Sequence, residues 1–130
     1  MKKVEFVAVI IEYDGKILCM QRDAGKFDYI SYKWEFPGGK IEEGETYEQA
    51  LARELSEEME MTVDIKKHYT DIVYPYPDFE LTMHCFLCDA HSKDFVMNVH
   101  KDFRWLNKSE LKQLDWAPAD FPVVEKLLND

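Results

Sequence analysis

Apolar residues open the chain in a run, Phe6-Val7-Ala8-Val9-Ile10-Ile11, and residues 4–11 are rich in Val and Ile. Tyr13-Asp14-Gly15-Lys16 breaks the run, and apolar character resumes over Lys16–Gln21 (KILCMQ). Two β-type segments joined by Asp-Gly predict an opening hairpin. From Arg22 to Lys33 the residues are polar and aromatic without a period, which predicts a loop. A short strand is expected at Trp34-Glu35-Phe36, ended by Pro37-Gly38-Gly39.

Thr46 stands three residues before Gln49, the spacing at which side chains and amides at a helix start satisfy each other, so a helix is expected over about 47–60. Residues 62–74 and 79–90 alternate loosely and are β-branched or aromatic, with Pro75-Tyr76-Pro77-Asp78 between them, which predicts a second hairpin. A further strand fits Phe103–Leu106, and Asn107 and Ser109 suit the start of a short helix near 110–114. A helical apolar face runs from 121 to 128, with Pro122 tolerated in its first turn. These elements predict a mixed α/β sandwich in which helices cover a curved sheet, with no internal repeat or linker.

The length of 130 residues fits one domain spanning 1–130. Sixteen Lys and Arg against 26 Asp and Glu leave a net charge of −10, which repels phosphate backbones at long range and argues against a nucleic-acid polymer as partner. Small polyanions stay compatible if divalent cations first reverse the local sign. No apolar run spans a bilayer, and the opening run lacks a cleavage site, so a cytoplasmic protein is expected. An odd number of cysteines, Cys19, Cys85 and Cys88, fits reduced thiols. His84, Cys85, Cys88 and His91 suggest zinc, but Cys85 and Cys88 should point to opposite faces of a strand and are read as buried free thiols.

Candidate chemistry concentrates in Gly38–Met61. On the expected helix Leu51, Leu55 and Met59 form one apolar stripe, and Glu54, Glu57 and Glu58 share the neighbouring face. Like charges at that spacing repel. They form either a solvated acidic face with Arg53 paired to Glu57, or a ligand set for a hard divalent cation. Gly38, Gly39 and Gly44 before the helix allow close backbone approach to a ligand.

This segment resembles the Nudix box: Gly, five residues, Glu, seven residues, Arg-Glu, an aliphatic residue, any residue, Glu-Glu, any residue, Gly, aliphatic. Here it reads Gly39, Glu45, Arg53-Glu54, Leu55, Ser56, Glu57-Glu58, Met59, then Glu60 in place of Gly, and Met61. Glu60 removes no ligand and bears only on how the helix ends. Trp34–Lys40 and Trp116–Pro122 look like the MutT-like branch of that family. The resemblance implies a Nudix fold, an α/β/α sandwich with a curved mixed β-sheet and flanking helices. It also implies hydrolysis of a (deoxy)nucleoside triphosphate to the monophosphate and pyrophosphate.

By position, the resemblance assigns the Gly38 carbonyl, Glu54, Glu57 and Glu58 to Mg²⁺ or Mn²⁺. One helix glutamate would be the base, Arg53 would orient the carboxylates, and Arg22, Gly39, Lys40 and Asp120 would meet substrate. Many MutT-like proteins carry a further glutamate where this chain has Val99, before His100 and Trp105. Either the helix carboxylates suffice, or His100 or Asp102 substitutes.

Asp120 matches a base-reading position, often Asn in members that remove 8-oxo-dGTP and sometimes Asp in members acting on cytidine nucleotides. From the residues alone it equally suits an N-cap accepting from Val123 or Val124. Trp34, Phe36, Tyr74, Tyr76 and Phe79 are either base platforms or core packing. The expected partner is a small nucleotide: 8-oxo-dGTP, which would make this a pool sanitiser, or CTP or 5-methyl-dCTP. No membrane partner is expected, and the protein would be a monomer or homodimer. The alternative of another class is a Nudix-fold nucleotide sensor without turnover, which Val99 and Glu60 favour and the intact Glu54, Glu57 and Glu58 oppose.

Overall fold

In the computed structural model, which describes residues 1–130, the opening hairpin forms around Asp14 and Gly15. Both take positive φ, 51° and 77°, the twist that lets so short a turn match its strands. β1 (Lys2–Tyr13) and β2 (Lys16–Gln21) leave the turn paired at Glu12 with Ile17 and Tyr13 with Lys16, and then diverge. β3 (Trp34–Glu35) fills the wedge on the β2 side and β4 (Gly38–Lys40) on the β1 side.

Pro37-Gly38-Gly39 therefore does not end the extended segment as expected. The chain turns and pairs again, with Gly38 opposite Ala8 and Gly39 opposite Val7. A Cβ at Gly38 would stand 2.0 Å from the Val7 carbonyl oxygen, so only glycine allows this approach to β1.

The second predicted hairpin is β5 (Val63–Pro75) and β6 (Phe79–Ala90). β6 lies parallel to β1, and β7 (Asp102–Leu106) lies antiparallel to β2, completing a mixed seven-stranded sheet. Alternation along β1 feeds two cores. Val7, Val9 and Ile11 pack against Ala50, Leu51, Leu55 and Met59 of α1 (Tyr47–Met59). Ala8 and Ile10 belong to the opposite core, with Val123, Val124 and Leu127 of α2 (Phe121–Asn129). Each large aliphatic side chain so buried contributes roughly 1.5–3 kcal/mol. The short helix expected near 110–114 is a 3-10 helix over Lys108–Gln113. The tighter winding follows from the bond of the Glu110 amide to the Asn107 carbonyl at 2.9 Å, while the Glu110 carboxylate takes the Asn107 amide at 2.9 Å. No helix is long and apolar enough to cross a membrane.

Cys85 and Cys88 fall in the two opposite cores, as the strand period requires, and all three cysteines are buried and free. The thiols make no zinc pair, and His91 is instead bonded to Asp64 at 3.0 Å.

Glu60 ends α1 in the left-handed region, at φ 49° and ψ 46°. Its amide donates to Ser56 and that of Met61 to Leu55, a helix exit that glycine adopts without penalty. The last carbonyls of α1 are taken by a crossing segment, Val96 donating to Met59 and Asn98 to Glu58. Glu60→Gly is expected to stabilise the protein by about 1 kcal/mol, by relieving the left-handed conformation of an L-residue. A thermal melt checks this: the midpoint should rise, and a fall would mean that the Asn98 contact to the Glu60 carboxylate outweighs backbone strain.

Candidate active site

The wedge between β1 and β2 opens into a cleft of about 560 Å³. Gly38, Gly39 and two carboxylates of α1 form one wall, and Arg22, Glu35 and His100 form another. Tyr76, Phe79, Leu81 and Met83 supply an apolar floor beside Asp120.

The capping box sets the phase of α1. The Gln49 amide donates to Thr46 Oγ1 at 3.1 Å, and the Thr46 amide donates to Gln49 Oε1 at 2.9 Å. With Leu51, Leu55 and Met59 held on the sheet, Glu54 and Glu58 line the cleft one turn apart. Glu54 lies directly over Gly39, where a Cβ would come within 2.4 Å of its carboxyl group. Glycine at 39 is therefore a condition for the position of Glu54. Glu57 stands at the rim, its side chain 59% exposed and outside the cleft lining.

Arg53 sits behind this wall and ties three segments together. Its Nε and Nη2 donate to the two oxygens of Glu45 at 2.7 and 2.9 Å. Nη2 also reaches the Lys40 carbonyl at 2.9 Å, and Nη1 reaches Glu54 at 2.9 Å. The pairing with Glu57 expected of a solvated acidic face exists, at 3.4 Å, but as one weak arm of a larger network. Hydrogen bonds from Arg53 hold the Glu45 carboxyl below its ordinary range.

Glu58 is the most perturbed helix carboxylate. Burial first, then the adjacent Glu54 and the charge of Glu35, push its carboxyl up to about 8, with Arg22 opposing. Glu35 joins two other cleft groups, accepting from Arg22 Nη1 at 3.1 Å and lying 3.0 Å from His100 Nε2. Two buried nitrogens stay unpartnered, Arg22 Nε and His100 Nδ1. Such buried polar atoms without partners are costly.

Asp120 is buried, and burial pushes its carboxyl well above the usual carboxylate range, with the charge of Glu35 adding to the effect. The N-cap reading of its side chain fails. Oδ1 accepts from the Phe36 amide at 3.1 Å, while the Asp120 backbone carbonyl serves the Val123 and Val124 amides. Among the sequence candidates, Gly38, Gly39, Lys40, Glu54, Glu58, Arg22 and Asp120 thus meet at one cleft, with Arg53 behind it and Glu57 at its rim. Val99 lines the cleft without a polar group, and His100 lies inside it. Asp102 lies outside the cleft. Its side chain turns to the Phe103 amide and Arg104 and does not line the cleft.

Glu35 carries a role no spacing announced. Its signal was modest: a charged residue between buried Trp34 and Phe36, facing a strand that ends next to Arg22. Trp34 is a core residue, whereas Phe36, Tyr76 and Phe79 serve core packing and cleft lining alike. The loop 22–33 borders the cleft because Phe27 and Tyr29 stack with Tyr76 and Phe79, and Tyr29 Oη donates to Asp78 at 2.8 Å.

The donor set fits a hard divalent cation. Glu54 and Glu58 offer only oxygen, crowd each other, and have no side-chain cation other than Arg53 within bonding distance. A dication would offset both the burial and the repulsion from Glu54 and Glu35 that push the Glu58 carboxyl up.

The NUDIX domain family model matches residues 1–127. The chain is 38% identical over 140 residues to the CTP pyrophosphohydrolase of Escherichia coli strain K12, covering 98% of this chain and 93% of that protein. It is 33% identical over 127 residues to the 8-oxo-dGTP diphosphatase of the same organism, covering 98% of each. Among solved structures it matches the E. coli ORF135 protein with a TM-score of 0.82 at 32% identity, covering 99% of this chain and 91% of that one. It matches the MutT protein of methicillin-resistant Staphylococcus aureus 252 with a TM-score of 0.76 at 36% identity, covering 99% and 98%. Agreement in sequence and in fold over nearly the whole length, and not in one motif alone, makes this chain a member of the Nudix hydrolase family, in its MutT-like branch.

Proposed function

We propose that the protein hydrolyses a nucleoside triphosphate to the monophosphate and pyrophosphate, using Mg²⁺ or Mn²⁺. The observation that carries this reading is one cleft lined together by paired carboxylates, the guanidinium-bearing Arg22 and an apolar floor. Gly38, Glu54, Glu57 and Glu58 would hold the cation, which would offset charge on phosphate oxygens and acidify the attacking water. Arg22, which lines the cleft, would contact phosphate with its guanidinium, and Lys40 would add a positive charge at the exposed edge. Arg53 keeps Glu54 in place and touches no substrate. A helix glutamate takes the proton of the attacking water.

Tyr76 and Phe79 would receive the base, with Asp120 at its edge. A carboxyl that keeps its proton offers one donor and one acceptor, complementary to the N3 and amino group of cytosine or to O6 and N7–H of 8-oxoguanine. Asp120 and the 38% identity to a CTP pyrophosphohydrolase favour a cytidine nucleotide. The 33% identity to an 8-oxo-dGTP diphosphatase supports oxidised guanine, and hence pool sanitation, as the second reading. The reduced thiols support work in the cytoplasm.

Monophosphate and pyrophosphate release with Mg²⁺ is expected from CTP, dCTP or 5-methyl-dCTP in preference to dGTP, with 8-oxo-dGTP as competitor and ADP-ribose as outgroup. Glu57→Gln should cut that release by at least about a hundredfold and leave the melting midpoint within a few degrees. Release from no triphosphate would overturn the hydrolase reading.

Two pH effects follow from the shifted carboxyls. The folded protein keeps the Glu58 proton that the unfolded chain loses at lower pH, so the Glu58 contribution to stability falls as pH rises towards about 8. A dication needs the ionised form, so the rise in melting midpoint on adding Mg²⁺ should be larger at about pH 9 than at about pH 6. An equal rise at both would place the ion away from Glu58. If Asp120 reads the base through its proton, KM should climb at alkaline pH, and Asp120→Asn should flatten that limb while preserving turnover. An unchanged limb in the variant would remove Asp120 from base recognition.

A further inference from the structure

We propose that His68, Asp71 and His84 form a second metal site, separate from the acidic cleft, which takes a borderline dication of the Zn²⁺ class. Asp71 Oδ1 lies 2.6 Å from His68 Nε2 and 2.8 Å from His84 Nδ1, and one ligand atom from each residue falls within 4.8 Å of the others. Two imidazole nitrogens, one carboxylate oxygen and a free fourth position are a zinc donor set, whereas Mg²⁺ prefers oxygen throughout.

The surroundings build the site further. The second nitrogen of His84, Nε2, is 3.1 Å from Glu5 Oε1. A carboxylate in that place would hold the ring proton on Nε2, so that an ion displacing the Nδ1 proton would meet the Nδ1 lone pair beside Asp71 and His68. Tyr47 stacks on His84 at 4.2 Å, and Phe86 stacks on His68 at 4.7 Å, so both rings are held before any ion arrives. His84 lies deep, its side chain 9% exposed, while His68 and Asp71 stand at the mouth and leave a path for entry.

A register shift creates the cluster. His68 and Asp71 are three residues apart on β5 and would point to opposite faces of a regular strand. The irregularity between His68 and Thr70 adds a residue, so that His68 pairs with Phe86 and Asp71 with His84 on one face. Tyr47 marks the first turn of α1, and Glu54 lies seven residues further on, roughly 10 Å along the helix. The ion would bridge β5 to β6 within the edge hairpin.

The test uses zinc chloride alone as probe, by equilibrium dialysis of the purified protein in excess Mg²⁺, with thermal melts in parallel. Wild type is expected to take up one zinc per chain and melt higher. His68→Ala removes a ligand at the exposed mouth; it should melt close to wild type without metal yet bind zinc at least tenfold more weakly. Glu5→Ala leaves all three ligands and should still weaken binding roughly 10–100-fold. Glu57→Gln, altered at the rim of the acidic cleft, should bind zinc as wild type does. The proposal is overturned if no zinc binds, if His68→Ala binds as well as wild type, or if uptake disappears in Glu57→Gln, which would put the ion among the helix carboxylates.

Discussion

A single guanidinium fixes the geometry on which the cleft depends. Arg53 bridges the loop before α1 through Glu45, strand β4 through the Lys40 carbonyl, and its own helix through Glu54. Three segments that share no regular hydrogen bonding are thereby held at one mutual angle. The planar fork matters, because a lysine ammonium could not grip both oxygens of Glu45 and still reach the other two partners. Glu54 is thus pressed against Gly39, and the spacing between helix and strand is set by a contact with no room for one further carbon.

Much of this was legible in the residue order. Asp14-Gly15 announces its turn, Thr46 and Gln49 announce the helix start, and the phase of Leu51, Leu55 and Met59 sets which face of the helix docks on the sheet. These are local rules, in which the residues that decide a feature lie within a turn or two of it. What escaped is non-local. β4 depends on how closely two glycines can approach β1, which no period encodes. The roles of Glu35 and Asp120 arise from partners far away in the chain, Arg22, His100 and Phe36. Glu57, equal to its neighbours in the motif, separates from them once the helix is docked and stands at the rim. The histidine and aspartate cluster is hidden for a third reason, since a strand irregularity cancels the alternation by which faces are assigned.

The acidic balance of the chain also acquires a location. A net charge of −10 is ordinary solvation where carboxylates face water, but two places concentrate charge without that relief. In the cleft, Glu54, Glu58 and Glu35 crowd together with Arg22 paired to Glu35 and Arg53 to Glu54, and the Glu58 carboxyl is pushed up. On the far side of α1's first turn, Glu5 and Asp71 share His84 instead. Burial there lowers the pKa of the ring, but the hydrogen bonds it makes to both carboxylates outweigh that and raise the net value. Similar crowding is met by proton retention in one place and by imidazole in the other.

The three sulfurs lend the fold a quiet chemical property. Peroxides and alkylating reagents attack thiolate, and burial keeps all three thiols from ionising, pushing Cys88 up to about 12. The native molecule is thereby chemically inert at cysteine. Because Cys19 and Cys85 sit in one core and Cys88 in the other, a thiol reagent reaches them only when the layers part. Labelling at each position then reports separately on how often each side of the sheet opens.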